Sequence, residues 1–198
     1  MSSSGLTQFT YSYLKTLMEA MKRNFDMHLL SKVEPGLHMS TQKILFLRHD
    51  VDLCLNKAVR IGEIEHDMGI HSPYYVAADS PMYSLKKKDQ AVLVKRIMDL
   101  GHEIGLHHID PISGNGNGTS ARLDDDIRSA RDKLEQSIGA RIGTISFHRP
   151  TREVMEGPLT VEGLTNAYAK ELTGSYISDS AGRWRDGDPL HRVQAGGD

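Results

Sequence analysis

The sequence contains a single cysteine, Cys54, among 198 residues. One cysteine cannot form an internal disulfide, and this favours a reducing compartment. We interpret Cys54 as a small buried hydrophobic residue rather than a reactive thiol. No apolar stretch approaches the ~20 residues that span a bilayer, and the start of the chain, Met1 to Gly5, lacks the charged and apolar regions of a signal peptide. We therefore expect a cytoplasmic protein that does not insert into membranes.

An excess of either charge is also lacking. Lysine and arginine number 24 and aspartate and glutamate 26, so the net charge is -2 at pH 7. Without a long basic run, the sequence favours no nucleic-acid partner. Hydrophobic residues make up 38% and charged residues 25%, which is ordinary for a soluble globular protein. The length suits one domain with a short appendage.

What is present is an alternation of apolar patterns. Spacings of three and four predict a helix over residues 7–31, and we assign residues 1–40 to an N-terminal helical segment. Between residues 41 and 198, short apolar runs alternate with helical patterns, which predicts an α/β domain with a mostly parallel sheet. The predicted strands cover residues 43–48, 71–77, 103–107, 143–148 and 174–177. The predicted helices cover residues 55–68, 88–100, 120–138 and 161–171.

Polar residues follow three of the predicted strands, at the ends where a parallel sheet collects its functional groups. Asp50 and Asp52 lie two apart and would share one face of a strand, where two carboxylates favour a cation or a shared proton between them. His107 and His148 end two further strands. Imidazole and carboxylate ligands together favour zinc or a similar first-row metal. We therefore expect one of the two carboxylates to bind a metal together with His107 and His148, and the other carboxylate to act as a base.

Each of these residues also has a plainer interpretation. Aspartates are common where loops begin, so Asp50 and Asp52 could form a turn. His102 is five residues before His107, at the opposite end of the same strand, and we interpret it as a hydrogen-bonded structural histidine.

Arg149 follows His148 and could pair with Asp50, which would hold that carboxylate ionised.

The motifs around these residues resemble those of the polysaccharide deacetylase (NodB-like) superfamily, in particular a divergent branch with Arg-His-Asp-Val-Asp as its first motif. The resemblance covers roughly residues 43–188. The matching segments are Arg48-His49-Asp50-Val51-Asp52, Gly101-His102-Glu103-Ile104-Gly105-Leu106-His107, Ser146-Phe147-His148-Arg149-Pro150, and Tyr176-Ile177-Ser178-Asp179-Ser180 with Gly182-Arg183-Trp184-Arg185.

The resemblance implies a deformed (β/α) barrel that hydrolyses N-acetyl or O-acetyl groups on sugars. It implies that Asp50 is the base, Asp52 a metal ligand and His107 a second ligand. The family's second motif has another histidine four positions after the first, where this chain has Pro111. We therefore take His148 as the third ligand, with Asp110 in reserve. The family's late histidine, a general acid, has no clear counterpart, so we expect either a truncated chain or a lost acid.

Three functions follow from these observations. The first is a metal-dependent hydrolase, with zinc as the expected metal, that removes acetyl groups, N-acetyl above all, from a sugar or glycan. The second keeps the metal but cleaves another C–N bond in a small molecule. The third is a catalytically impaired protein that binds a glycan or serves as a scaffold.

Overall fold

The N-terminal region is only partly helical. A computed structural model describes residues 8–33, 43–109, 120–173, 176–179, 182–184 and 187–196. Helix α1, Tyr11–Asn24, begins where the Thr10 hydroxyl accepts a hydrogen bond from the Tyr13 backbone. After it come strand β1, Asp26–Met27, and a 3-10 helix, Leu30–Lys32. The predicted helix over residues 7–31 is thus wrong beyond residue 24, because β1 pairs in parallel with strand β2, Ile44–Leu45.

The remaining strands form one six-stranded sheet. They are β3, His49–Val51; β4, Pro73–Val76; β5, Glu103–His108; β6, Thr144–Phe147; β7, Thr160–Val161; and β8, Leu164–Asn166. The strand order is β3-β4-β5-β6-β8-β7, and every pairing is parallel except that of β7 with β8. The prediction of an α/β fold with a mostly parallel sheet is confirmed. Within the described ranges the pairings do not close the sheet into a barrel, since β3 and β7 remain its two edges.

Helices connect the strands of this sheet, and one more helix follows the last strand. They are α2, Leu55–Asp67; α3, Lys88–Asp99; α4, Ser120–Ile138; and, later in the chain, α5, Arg152–Met155, and α6, Pro189–Gln194. The first three agree with the predicted helices to within one residue. None of the helices described here is long and apolar enough to cross a membrane.

Two further predicted elements are wrong, and a third lies partly outside the described residues. The strand over residues 43–48 is split, with β2 in a separate two-stranded sheet and β3 starting only at His49. The helix over residues 161–171 is instead a hairpin of β7 and β8, in which Glu162 and Gly163 have φ values of 50° and 76°. Positive φ at both turn positions suits a two-residue hairpin. Of the predicted strand over residues 174–177, positions 174 and 175 lie outside the described residues, and Tyr176 and Ile177 are not in a strand.

The two faces of the main sheet differ in chemistry. One face packs its apolar side chains against α2, α3 and α4, and includes Val76, Leu106 and Ile145, all fully buried. On the other face the register aligns Asp50 with Tyr75, and His107 with Ser146. Part of this second face is covered by the N-terminal segment, where Leu30 packs on Tyr75. Asp50 and His107 therefore lie on the face opposite the helices.

The N-terminal segment packs directly on the rest of the protein. In α1, Met18 contacts Ile64 of α2, while Leu17 and Met21 pack against Val193 of α6. The Tyr13 hydroxyl also donates a hydrogen bond to Asp188. The division of the chain into segments 1–40 and 41–198 remains a prediction.

Candidate metal centre

Three side chains from separate strand ends converge on one point. Asp52 lies just after β3, His107 near the end of β5, and His148 just after β6. Asp52 Oδ1 lies 3.0 Å from His107 Nε2 and 3.1 Å from His148 Nδ1. The two ring nitrogens are 3.4 Å apart. This is the one group of potential ligand side chains found among the described residues.

The size of this triangle suits a small divalent cation. Zinc lies ~2.0–2.2 Å from nitrogen and oxygen ligands, so two tetrahedral ligands are about 3.3–3.5 Å apart. The observed separations of 3.0, 3.1 and 3.4 Å are slightly tighter than such a face. Two imidazoles and one carboxylate are also a donor set that zinc and similar first-row metals accept. The residues therefore fit a bound metal by both chemistry and spacing.

Packing holds His107 in place. Its side chain is 1% exposed, and its ring stands edge-on to that of His148, with centroids 5.5 Å apart. Among the described residues its buried Nδ1 has no hydrogen-bond partner. Metal-bound histidines usually donate a hydrogen bond from the second ring nitrogen. Since His107 makes no such bond within the described residues, ring packing and its place in β5 fix its orientation.

Asp52 and His148 are the two ligand candidates that solvent can reach. Their side chains are 42% and 40% exposed. The hydrogen bond with His107 lowers the pKa of Asp52, and this outweighs burial, which raises it. An ionised carboxylate can accept hydrogen bonds or bind a cation. The Tyr83 hydroxyl fixes the preceding peptide by donating to the Val51 carbonyl at 2.8 Å.

Asp50 has different partners from Asp52. Its Oδ1 accepts a hydrogen bond of 3.0 Å from the Ser146 hydroxyl, and its Oδ2 lies 3.6 Å from a guanidinium nitrogen of Arg48. Its side chain is 24% exposed. Asp50 is thus not a member of the cluster, and its role as a base remains a prediction.

The predicted ion pair between Arg149 and Asp50 is wrong. Arg149 is exposed, and Arg48 occupies the position beside Asp50 instead. The physical reason is the alternation of side chains along an extended chain, which directs residues 48, 50 and 52 to one side. That alternation was readable from the sequence, whereas the contact of Ser146 with Asp50 was not, because it joins residues 96 positions apart.

His102 lies at the amino end of β5, as expected of a structural histidine. Its Nε2 is 2.9 Å from the Gly62 carbonyl, and its Nδ1 accepts a hydrogen bond of 3.3 Å from the Ser72 backbone. Burial lowers the pKa of His102, so the neutral ring is favoured. The interpretation of His102 as a hydrogen-bonded histidine away from the cluster is confirmed.

A buried carboxylate joins the amino ends of two strands on the helical side of the sheet. Glu65 of α2 is fully buried and 2.7 Å from each of His49 Nε2, Ser72 Oγ and the Tyr74 hydroxyl. Burial raises the pKa of Glu65, but the His49 charge and the hydrogen bonds lower it overall. Burial lowers the pKa of His49, but Glu65 raises it overall. The sequence did not predict this network, because its members are separated by up to 25 positions.

One prediction outside the cluster, that of a buried Cys54, is wrong. Cys54 is exposed rather than buried, because it precedes the first residue of α2 on the side of the strand ends. Trp184 stacks on Phe9, with ring centroids 5.6 Å apart, and so contacts the N-terminal region. His191 is exposed on α6. Asp110, the reserve ligand, lies outside the described residues.

Comparison with known proteins gives a match at the level of the fold. No family model matches the chain, and no curated protein does. Among solved structures, the fold is similar to that of IcaB from Ammonifex degensii, with a TM-score of 0.56 and 13% sequence identity. The match covers 93% of this chain and 88% of IcaB. At this identity the likeness concerns the fold alone, and it agrees with the expected α/β architecture.

Proposed function

We propose that the protein is a metal-dependent hydrolase that removes acetyl groups, N-acetyl groups above all, from a sugar or glycan. The observation that carries this proposal is the convergence of Asp52, His107 and His148 at neighbouring strand ends, with a separate carboxylate, Asp50, beside them. The fold, which resembles that of IcaB, and the motif resemblance to polysaccharide deacetylases support the same reaction class.

Asp52, His107 and His148 would hold the metal. A divalent cation bound there would polarise the acetyl carbonyl and lower the pKa of a coordinated water, from ~15.7 towards ~7. Two of the three side chains are about two-fifths exposed, at 42% and 40%, so solvent and substrate can reach the cluster. The third, His107, is buried and anchors the site to the sheet.

Asp50 is the general base in this proposal. It is held by Ser146 and Arg48, so it can take the proton from the attacking water without leaving its position. The water oxygen forms a C–O bond to the acetyl carbon, Asp50 passes the proton it has taken on to the amine nitrogen, and the C–N bond then breaks to give acetate and a free amine. A positioned base of this kind contributes ~10²–10⁴-fold to the rate.

Acetate release from a defined substrate panel tests the proposal. The panel contains N-acetylated sugar oligomers, O-acetylated sugar oligomers and small non-sugar amides, each offered to zinc-loaded protein. We expect release from the N-acetylated sugars, and a loss of ~10²-fold or more in Asp50→Asn with the metal content unchanged. Asp79→Asn is the matched control, because Asp79 is an exposed aspartate paired with Lys133.

The other outcomes separate the alternatives. Release only from non-sugar amides would move the activity to another C–N bond. Sugar binding by metal-loaded protein without release would favour the binding or scaffold role. Full activity in Asp50→Asn would refute the assignment of the base.

A further inference from the structure

Arg48 is enclosed beside the site by three aromatic rings. Its guanidinium carbon lies 4.1 Å from the ring centroid of Tyr168, 5.6 Å from that of Tyr176 and 6.0 Å from that of Tyr75. The Arg48 side chain is 12% exposed. A cation over aromatic faces is stabilised by their electron density, and more strongly where water is excluded.

The guanidinium is also fixed by directional contacts. One terminal nitrogen donates to the Ala167 carbonyl at 3.2 Å, and the other donates to the Tyr176 hydroxyl at 3.1 Å. The nitrogen that bonds Tyr176 is the one that lies 3.6 Å from Asp50 Oδ2. Arginine stays charged in proteins, and its planar fork can make these contacts at the same time, as a lysine ammonium cannot.

We propose that Arg48 is a positioning residue for Asp50: the tyrosine-enclosed guanidinium and the Ser146 hydroxyl each hold one carboxylate oxygen, and together they orient Asp50 towards the metal cluster. The role of Asp50 as base comes from the proposed function, on which this inference rests. Arg48 acts through Asp50 and itself contacts neither the three ligand residues nor, in this proposal, the reacting atoms.

The two oxygens of Asp50 therefore have distinct partners from separate parts of the chain. Ser146 belongs to β6, while Arg48 is in the extended segment before β3 and is tied to the chain around residues 167–176. Without Arg48, one oxygen loses its partner and the carboxylate can rotate away from the cluster. A misplaced base slows the proton transfer but leaves the ligand set intact.

A double-mutant cycle in kinetics tests this role. We expect Arg48→Gln to lower kcat by about tenfold or more, to change KM little, and to leave the metal content unchanged. Arg48→Lys should recover part of the activity, because it keeps the charge. In an Asp50→Asn background, Arg48→Gln should cost almost nothing further, because both residues act in one step. Arg60→Gln, at an exposed arginine on α2, is the control.

A role in general stability would give a different pattern. It would lower activity by the same factor with and without the Asp50 carboxylate, and that result would overturn the proposal. So would an Arg48→Gln variant with kcat within about twofold of the parent, since ~10²–10⁴-fold is expected from a well-placed base.

The same cycle in urea unfolding of metal-free protein needs no turnover. We expect Arg48→Gln to lower the unfolding midpoint more in the parent than in Asp50→Asn, because only the parent loses the ion pair. Equal shifts in both backgrounds would overturn the contact itself. Unequal shifts without any acetate release would refute the acetyl hydrolase while supporting the Arg48–Asp50 pairing, so the two failures are distinguishable.

Discussion

Glu65 provides a test of what holds helix α2 to strands β3 and β4. It is a fully buried carboxylate with partners on β3 and β4 and in the segment between α2 and β4: His49, Tyr74 and Ser72, each at 2.7 Å. Removing one partner of a buried ion pair costs about 3–5 kcal/mol, because the other partners lose their charged acceptor. We expect Glu65→Gln to lower the free energy of unfolding by an amount in that range.

Urea denaturation followed by circular dichroism measures this loss. Glu63→Gln is the matched control, since Glu63 lies on the same helix and forms an exposed pair with Arg60 at 3.1 Å. Exposed pairs contribute about 0–1 kcal/mol, so the control should unfold nearly as the parent does. A Glu65→Gln variant indistinguishable from Glu63→Gln would refute the argument that the buried network stabilises the fold.

Two further predictions concern pH and packing. The pKa of Glu65 lies below its ordinary 4.5, so its contribution is present above pH 4.5 and is lost as pH falls through the lowered value. The pKa of His49 lies above its ordinary 6.5, so its contribution is present below pH 6.5 and is lost as pH rises through the raised value. The difference in unfolding free energy between parent and His49→Gln should therefore be largest between pH 4.5 and 6.5, and a pH-independent difference would contradict this. Gly105→Ala should destabilise the sheet by about 1–3 kcal/mol in urea unfolding, since crowded cores tolerate added atoms poorly. Its Cβ would lie 2.5 Å from Thr144 Oγ1, whereas Gly143→Ala meets no atom within 4 Å and serves as control; equal stability of the two variants would count against the close packing.

The sequence predicted the parts of the fold that depend on local patterns. Helix α4 has the predicted bounds of Ser120 and Ile138, because its pattern is long and helical throughout. The prediction of a helix over residues 161–171 was wrong because Val161, Leu164 and Ala167 are spaced by three, as on one face of a helix. The hairpin is instead determined by two positive φ values at positions 162 and 163.

The site was predictable where it follows from sheet topology. Parallel strands bring their carboxyl ends to one edge, and this brought Asp52, His107 and His148 together. The surroundings of Arg48 were not predictable, because its bond to Tyr176 joins residues 128 positions apart. Such contacts depend on how loops return to the sheet, for which neither periodicity nor motif spacing gives a rule.

Metal content is the most direct test of the central claim. The protein is purified without added metal, soaked in zinc, desalted and analysed for bound metal, alongside Asp52→Ala and His107→Ala. His71→Ala is the control, because His71 is an exposed histidine before β4, at the opposite end of the sheet. The account predicts about one zinc per chain in the parent and the control, and little in either ligand variant, as expected for a site with three protein ligands. No bound metal in the parent, or equal metal in all four proteins, would contradict it.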